Sequence, residues 1–544
     1  MKKLLTILFL FAWSAQATTY YVRTDGNNAN SGTTNSSGGA WLTLSYACAH
    51  TTSGDLISVQ AGNFTETSQC VLPVGVSIEG VDSSTAIIKS TATSDFVAII
   101  VANSATQGTN GNQHISGLKF DGQVSGISGG TAWCIEERAR SNFSIYGCSF
   151  KDFRMSAVIM TGNQDNSGNE PTTYATGNSF YNNRVYNCSE YNHTFNSGQG
   201  QLMMGGQVGM LVYGNTMVQN QRTAGYNGWP IKYYENGYLK GCKVYNNYLQ
   251  KSPLTSTIGD FNWDFAIEFF RETGLEIYNN TIVDGGIDVN YQIKDVTYSF
   301  AARISNNTIY NQSPTSQLEA GITVEFGSNT VNIDSNTIYN KAKGIIFTPR
   351  SGDTVKLVKI RKNLMYNIGV PAQNGFLIDF VNNGSITLYF DSNYVYNNNM
   401  LVYPTAPYYF GIQLPAIGAG YIKHFFINNN IIQNAQSYGI YQANATIVID
   451  SSNISYNSLF GNGNSNTIAY LGSAPIHSTT TGNFTFDPQL TSSLYTLSVG
   501  SPAIDAGINV GLPYSGSAPD IGWGEVAGVT SGFNLKGRRR LKFQ

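Results

Sequence analysis

The sequence predicts an all-β protein: a single-stranded, right-handed parallel β-helix of about 12 or more coils with a cap at each end. Three observations predict it. Short runs with apolar residues at every second position recur along most of the 544 residues. Paired asparagines follow these runs at a repeating place. The composition (57 Gly, 34 Tyr, 28 Phe, only 12% charged) suits short strands and tight corners and lacks what helical bundles need. The hand follows from the rule for parallel crossovers.

The first segment addresses the chain. Lys2 and Lys3 precede an apolar run from Leu4 to Trp13, closed by Ala15-Gln16-Ala17. This is the layout of an export leader over residues 1–17, cleaved near Thr18. The expected location is secreted, periplasmic or cell-surface. The run is too short to span a bilayer, and no later stretch is apolar and long enough, so no transmembrane segment is expected. A net charge of −2 gives no basic field for nucleic acid. Export permits disulfides. Of six cysteines, Cys48 and Cys70 are the candidate pair, and Cys134, Cys148, Cys188 and Cys242 read as buried thiols.

Residues 18–113 read as a cap and first coils. Thr19 to Val22 is a short strand, Trp41 to Ala47 a short helix, and Asp55 to Val59 and Val76 to Gly80 early coil strands. The pattern Y-Y-V-x-x-x-G, W-x-T-L-x-Y-A and G-D-x-I-x-V-x-A-G-x-F-x-E runs from Tyr20 to Glu66. Together with Ser501-Pro502-Ala503-Ile504-Asp505-Ala506-Gly507 and Ala518-Pro519-Asp520-Ile521-Gly522, it resembles the bracketing segments of secreted right-handed β-helix proteins of the pectate-lyase-like superfamily. The resemblance implies the fold and a carbohydrate partner, and is silent on which sugar.

Residues 114–486 carry the coils. A marker asparagine, second of each corner, falls at Asn183, Asn215, Asn247, Asn280, Asn307, Asn336, Asn363, Asn393, Asn430 and Asn453, with Gly117 and Cys148 in its place earlier. Stacked coils should align these amides into an internal ladder. Longer spacings at Thr161–Tyr174, Gln250–Asn262, Val381–Ser385 and Met400–Tyr421 read as projecting loops. Residues 487–530 close the coil, and 531–544 are a basic tail.

Chemistry is sought on the outward positions of one strand per coil. Lys232, Tyr234, Glu235, Glu268, Asp288, Asn290 and Glu325 alternate with inward apolar residues, and Glu136, Glu137 and Arg138 repeat the theme earlier. Like charges on adjacent coils repel unless a cation, a proton or a ligand relieves them. Lys232, Glu235, Glu268, Arg271, Asp288 and Glu325 are therefore the candidate catalytic residues. Trp263 and Asp264 should reach the rim, Tyr234, Asn290 and Arg350 are further candidate substrate contacts, and a Ca²⁺ ion could sit among the acids. The bland alternative is a polar outer face. Tyr310, Tyr339, Tyr366 and Tyr396, with Tyr186 and Tyr456, form an aromatic column three residues past each marker, suited to sugar rings or to stacking alone, and Tyr310 and Tyr339 are taken as binding residues.

Within the resembling superfamily, the N-T-D, G-H-G and R-I-K runs of polygalacturonases and the R-x-P-x-x-R of common pectate lyases are absent. Chondroitinase B and related alginate lyases are similar in unit layout and use a Lys base, an Arg and Ca²⁺. Here the Lys place falls near Arg271 and the Arg place near Asp288 and Asn290, leaving Lys232 with Arg271 as a substitute pair. The expected function is action on an acidic polysaccharide by β-elimination or hydrolysis. A non-catalytic adhesin or glycan-binding β-helix is the alternative, and a phage tail-spike-like protein the third, disfavoured by the leader.

Overall fold

The computed structural model describes residues 17–526 apart from 124–129, 166, 190–198, 221–227, 252–264, 294, 313–319, 326, 328–329, 349–353, 370–374, 381–387, 404–408, 415–419, 443–447, 465–467 and 471–476. Leader residues 1–16, Trp263, Asp264, Arg350 and the basic tail lie outside the described residues. The chain gathers in two compact units, Met1–Thr223 with Pro230–Gly237, and Ala224–Trp229 with Tyr238–Gln544.

Each unit is a right-handed coil of short parallel strands, one strand per turn in each of three sheets. In the first unit one turn is Arg140–Tyr146, Ser149–Lys151 and Ser156–Thr161; in the second, Leu275–Tyr278, Thr281–Val283 and Gly286–Asn290. These are called the first, second and third sheets. Every strand pairs with the strand one turn on: Leu275 with Ala302, Thr281 with Thr308, Ile287 with Ile322. Inward positions therefore stack like on like. Ile277, Ile304, Ile333, Ile360, Val395, Ile427 and Ile454 form one apolar column, each fully buried.

The corner between first and second sheets explains the doubled asparagines. The first residue of each pair takes the left-handed region: Asn279 at φ 56°, Asn306 at 54°, Asn397 at 53°. Asn tolerates that region better than other side chains. The second residue turns inward and is buried. Its Oδ1 accepts from the backbone N and Nδ2 of the previous turn's asparagine, and its Nδ2 reaches on to the next. Asn280 bonds Asn307 in this way (3.0 and 3.0 Å), as Asn307 bonds Asn336 and Asn336 bonds Asn363. Each also donates to a strand carbonyl, as Asn307 does to Ile277 at 2.9 Å. A buried amide so placed leaves no polar group unmet.

The ladder departs from the expected markers in three places. It continues from Asn363 to Asn398, then Asn430, Asn457 and Asn483, not through Asn393 or Asn453. Asn393 lies within the strand Leu388–Tyr396, paired with Val358 and Phe425. The strand has nine residues against four or five in the first-sheet strands from Leu275–Tyr278 to Thr330–Asp334, so a count at the earlier spacing lands short of the corner. In the earliest coils the left-handed residues are Gly117 and Gly147, so Leu118 and Cys148, not Gly117, hold the ladder place; Cys148 N donates to Asn183 Oδ1 at 3.0 Å. The stretch Met400–Tyr421, read as a loop, contains the third-sheet strand Tyr409–Leu414.

The N-terminal cap is a helix, Leu44–His50, that buries Leu44, Ala47 and Cys48. Glu66 accepts from the helix's Leu44 N (2.8 Å) and Ser45 N (2.9 Å). All six cysteines are buried and free. Cys48 and Cys70 are neighbours, and their mutual hydrogen bond, then burial, pushes the Cys70 thiol up.

The C-terminal segment runs along the side of the coil. Gly522 N donates to Asn429 O (2.7 Å), Trp523 N to Asn399 Oδ1 (3.0 Å), and Asn429 exchanges two hydrogen bonds with Ile508. Ala503, Ile521 and Leu497 pack on Ile431. Tyr495 packs against Tyr366 with ring centres 4.6 Å apart and the planes tilted by 31°.

Candidate functional site

The first unit holds a dense ionic cluster at the end of its third sheet. The strand Trp133–Arg138 turns sharply at Ala139 (φ 61°), leaving Arg138 at its exit. Arg138 Nε donates to Glu136 (2.5 Å), Nη1 to Glu235 Oε1 (2.7 Å) and to the Asp165 carbonyl (3.1 Å), and Nη2 to the Tyr234 hydroxyl (2.8 Å). Both side chains of the Arg138–Glu235 pair are nearly buried, at 5% and 6% exposure. Such charge-assisted, desolvated contacts fix geometry strongly.

Glu235 sits at φ 47°, a conformation uncommon for side chains other than Asn and Asp, and Asn236 and Gly237 follow in the same left-handed region. The insertion after Thr161 holds it there. Thr161 Oγ1 donates to Glu235 Oε2 (3.3 Å), and Asn236 Nδ2 to the Gly168 carbonyl (2.8 Å). Burial raises the Glu235 carboxyl above its ordinary value, against hydrogen bonds from Arg138, Asn163 and Thr161. Burial likewise pushes Tyr234 up to about 12, so its phenol stays protonated. A carboxyl with raised affinity for a proton, beside a guanidinium, is the chemistry of a proton donor to an oxygen leaving group.

Beneath this cluster Glu137 faces the interior, fully buried, and accepts from Arg140 N at 2.8 Å. Burial pushes it up to about 8, opposed by Arg140 and Arg138. Its Oε2 has no hydrogen-bond partner among the described residues. Arg140 is itself spent on Leu72, Asn103, Gln113 and Ser104. Lys232, also in this unit, lies 5.1 Å from the Tyr233 ring centre and is 7% exposed.

The second unit carries the other acids. Glu268 pairs directly with Asp288 on the next turn, and Asp288 with Thr323; Asn290 pairs with Glu325. Glu268, Asp288, Asn290, Thr323 and Glu325 share the outward face of the third sheet, as expected. The face is not open to solvent, however: Asp288, Asn290 and Glu325 are 0%, 4% and 5% exposed. Asn290 Nδ2 donates to Glu325 Oε2 (3.1 Å), and Asn290 N to Glu272 Oε1 (2.7 Å). Glu272, unnoticed in the sequence, is fully buried and raised well above its ordinary value by burial. Arg271 (φ 59°) has its guanidinium carbon over Phe270, 4.3 Å from the ring centre, and 5.3 Å from that of Tyr238.

The aromatic column belongs elsewhere. Tyr310, Tyr339 and Tyr366 stack at 4.7 and 4.8 Å on the second sheet, not beside the third-sheet acids. Tyr396 is not its fourth member; it ends the long first-sheet strand, and Tyr495 completes the stack instead. No group of three or more His, Cys, Asp or Glu side chains able to hold a metal comes together among the described residues. No helix among them is long and apolar enough to cross a membrane.

The sequence picked out Glu235 and Tyr234 but not the parts played by Arg138, Thr161 and Asn163. The signal available was the Glu136–Arg138 charge run beside an insertion at Thr161, two turns away from Glu235.

Residues 172–357 match the family model described as "Right handed beta helix region". No curated protein matches the chain. Among solved structures, the chain is similar to an alginate lyase from Paenibacillus sp. str. FPU-7 (15% identity, TM-score 0.40, 58% of this chain and 94% of that one). It is similar also to the catalytic unit of a GH87 α-1,3-glucanase from Streptomyces thermodiastaticus (15%, 0.45, 70% and 64%). A third is PfbA, a surface adhesin of Streptococcus pneumoniae (11%, 0.37, 60% and 84%).

Proposed function

We propose that the protein is an exported polysaccharide-active β-helix that cleaves an acidic glycan, with Glu235 as the proton donor. One observation carries this reading: Glu235 is nearly buried, raised in proton affinity, and held in a left-handed turn by Arg138 and Thr161. Backbone strain of that kind concentrates at functional sites. Glu136, on the other arm of Arg138, supplies the second carboxylate. Lys232 and Tyr234 lie in the same unit and would contact the sugar.

The test is turnover of purified protein on pectate, alginate and other uronate glycans, reading unsaturated product by ultraviolet absorbance and new reducing ends in parallel. Glu235→Gln should abolish whichever signal wild type gives while leaving the fold intact. A lyase gives both signals and a hydrolase only the second.

A specific observation favours the adhesin reading as the second one. The Arg138 guanidinium already spends Nε, Nη1 and Nη2 on protein acceptors, as a structural clamp would. In that case no glycan is cleaved, and Glu235→Gln lowers only stability.

A further inference from the structure

A groove of about 380 Å³ lies in the second unit, where the C-terminal segment crosses the outer face of the first sheet. Its floor is Lys359, Arg361, Tyr394 and Tyr396, with Leu357, and its roof is Val510, Gly511 and Leu512. The strand pairing sets the floor: Lys359 lies beside Tyr394 and Arg361 beside Tyr396 on successive turns. That volume is within the roughly 300–1,000 Å³ usual for small-ligand sites.

The floor is rigid before any ligand arrives. Tyr394 stacks on Phe426 (5.1 Å, 6°) and meets Tyr396 edge to face (5.6 Å, 69°). Arg361 is committed to Asp334 through two hydrogen bonds of 2.8 and 2.6 Å. Lys359 differs: it has no acidic partner among the described residues, although other cations of this sheet do. Lys243 pairs with Glu276 and Lys423 with Asp391. A cation held in a half-closed groove beside fixed aromatic rings is complementary to an anion carried on a flat apolar body. Preorganised rings lose little entropy on binding.

We infer that this groove is a binding subsite for an anionic pyranose, a uronate or a sulfated sugar, whose ring lies against Tyr394 and whose charge meets Lys359. It is separate from the cluster at Glu235 and does not depend on that cluster being catalytic.

Calorimetric titration of the full chain tests it, with a galacturonate trisaccharide, its methyl ester and a sulfated carrageenan oligosaccharide as probes. Wild type should bind one of the two anionic probes, which identifies the anion, and bind the ester at least about tenfold more weakly. Binding should weaken with added salt. Lys359→Gln should lose at least about tenfold, Lys359→Arg should retain most of the affinity, and Tyr394→Leu should lose affinity for the bound probe. The proposal is overturned if neither anionic probe binds, if the ester binds as well as the acid, or if Lys359→Gln binds like wild type.

Discussion

Asn336 Nδ2 donates to Asn363 Oδ1 at 3.0 Å, while Asn336 Oδ1 receives two hydrogen bonds from Asn307, one from its backbone N and one from its Nδ2. One side chain thus serves two neighbouring turns at once. Replacing it, Asn336→Ala, strands the Asn307 amide and the Asn363 oxygen in a dry corner. The expected cost is about 1–3 kcal/mol, read as a lower denaturation midpoint. An unchanged midpoint would show that water replaces the amide.

The Glu137 carboxyl gives stability a pH signature. Its folded pKa, about 8, lies above the ordinary 4.5 because burial disfavours the charge. The folded state therefore binds a proton that the unfolded state releases, and stability should fall between about pH 4.5 and 8. Glu272, raised in the same direction, adds to the fall. Glu137→Gln should match wild type near pH 4 and exceed it increasingly toward pH 8, as followed by denaturant titration. A constant difference at every pH would contradict the assignment.

Thr161 should matter to Glu235 without touching substrate. Thr161→Val removes the donor at 3.3 Å and leaves the carboxyl held by Arg138 and Asn163. Losing a hydrogen bond to the charged form should raise the Glu235 pKa further. The alkaline limb of the pH–rate profile, where the proton donor Glu235 is deprotonated, should shift upward in this variant, with the melting temperature little changed. A falling turnover with an unmoved profile would assign Thr161 to the fold alone.

The Cys48–Cys70 neighbours should respond to an oxidising compartment. Both are buried, and their thiols already contact each other. Protein recovered from an oxidising compartment should carry this one bridge by non-reducing peptide mapping, with Cys134, Cys148, Cys188 and Cys242 still thiols. Its mature N-terminus should lie near Thr18. Recovery of an uncleaved leader would refute the export reading.

The coil was legible because its signals are local and repeated. Alternation in Leu275 to Tyr278 and the Asn279–Asn280 corner each specify one strand and one bend, and the next turn repeats them. The count failed where first-sheet strands lengthened, at Leu388–Tyr396 and Val448–Ser455, since spacing alone cannot show which side of a corner absorbs extra residues, and at Gly117, which takes the left-handed place ahead of the ladder residue. The ion cluster was less legible. Arg138 and Glu235 are 97 residues apart, and their contact depends on a left-handed backbone at a glutamate, which no pattern of residue types announces. Burial of Asp288 and Glu325 was equally invisible, because alternation tells which way a side chain points and not what covers it.

The asparagine ladder returns after as few as 26 and as many as 35 residues, yet its backbone bonds hold between 2.9 and 3.0 Å across those steps. Pitch and path length are thereby uncoupled, as a spiral stair keeps its riser height whatever the width of each tread. A foreign segment spliced into the outer bends would not re-index the coils above or below it. The scaffold can change what it displays, turn by turn, while its thread stays the same.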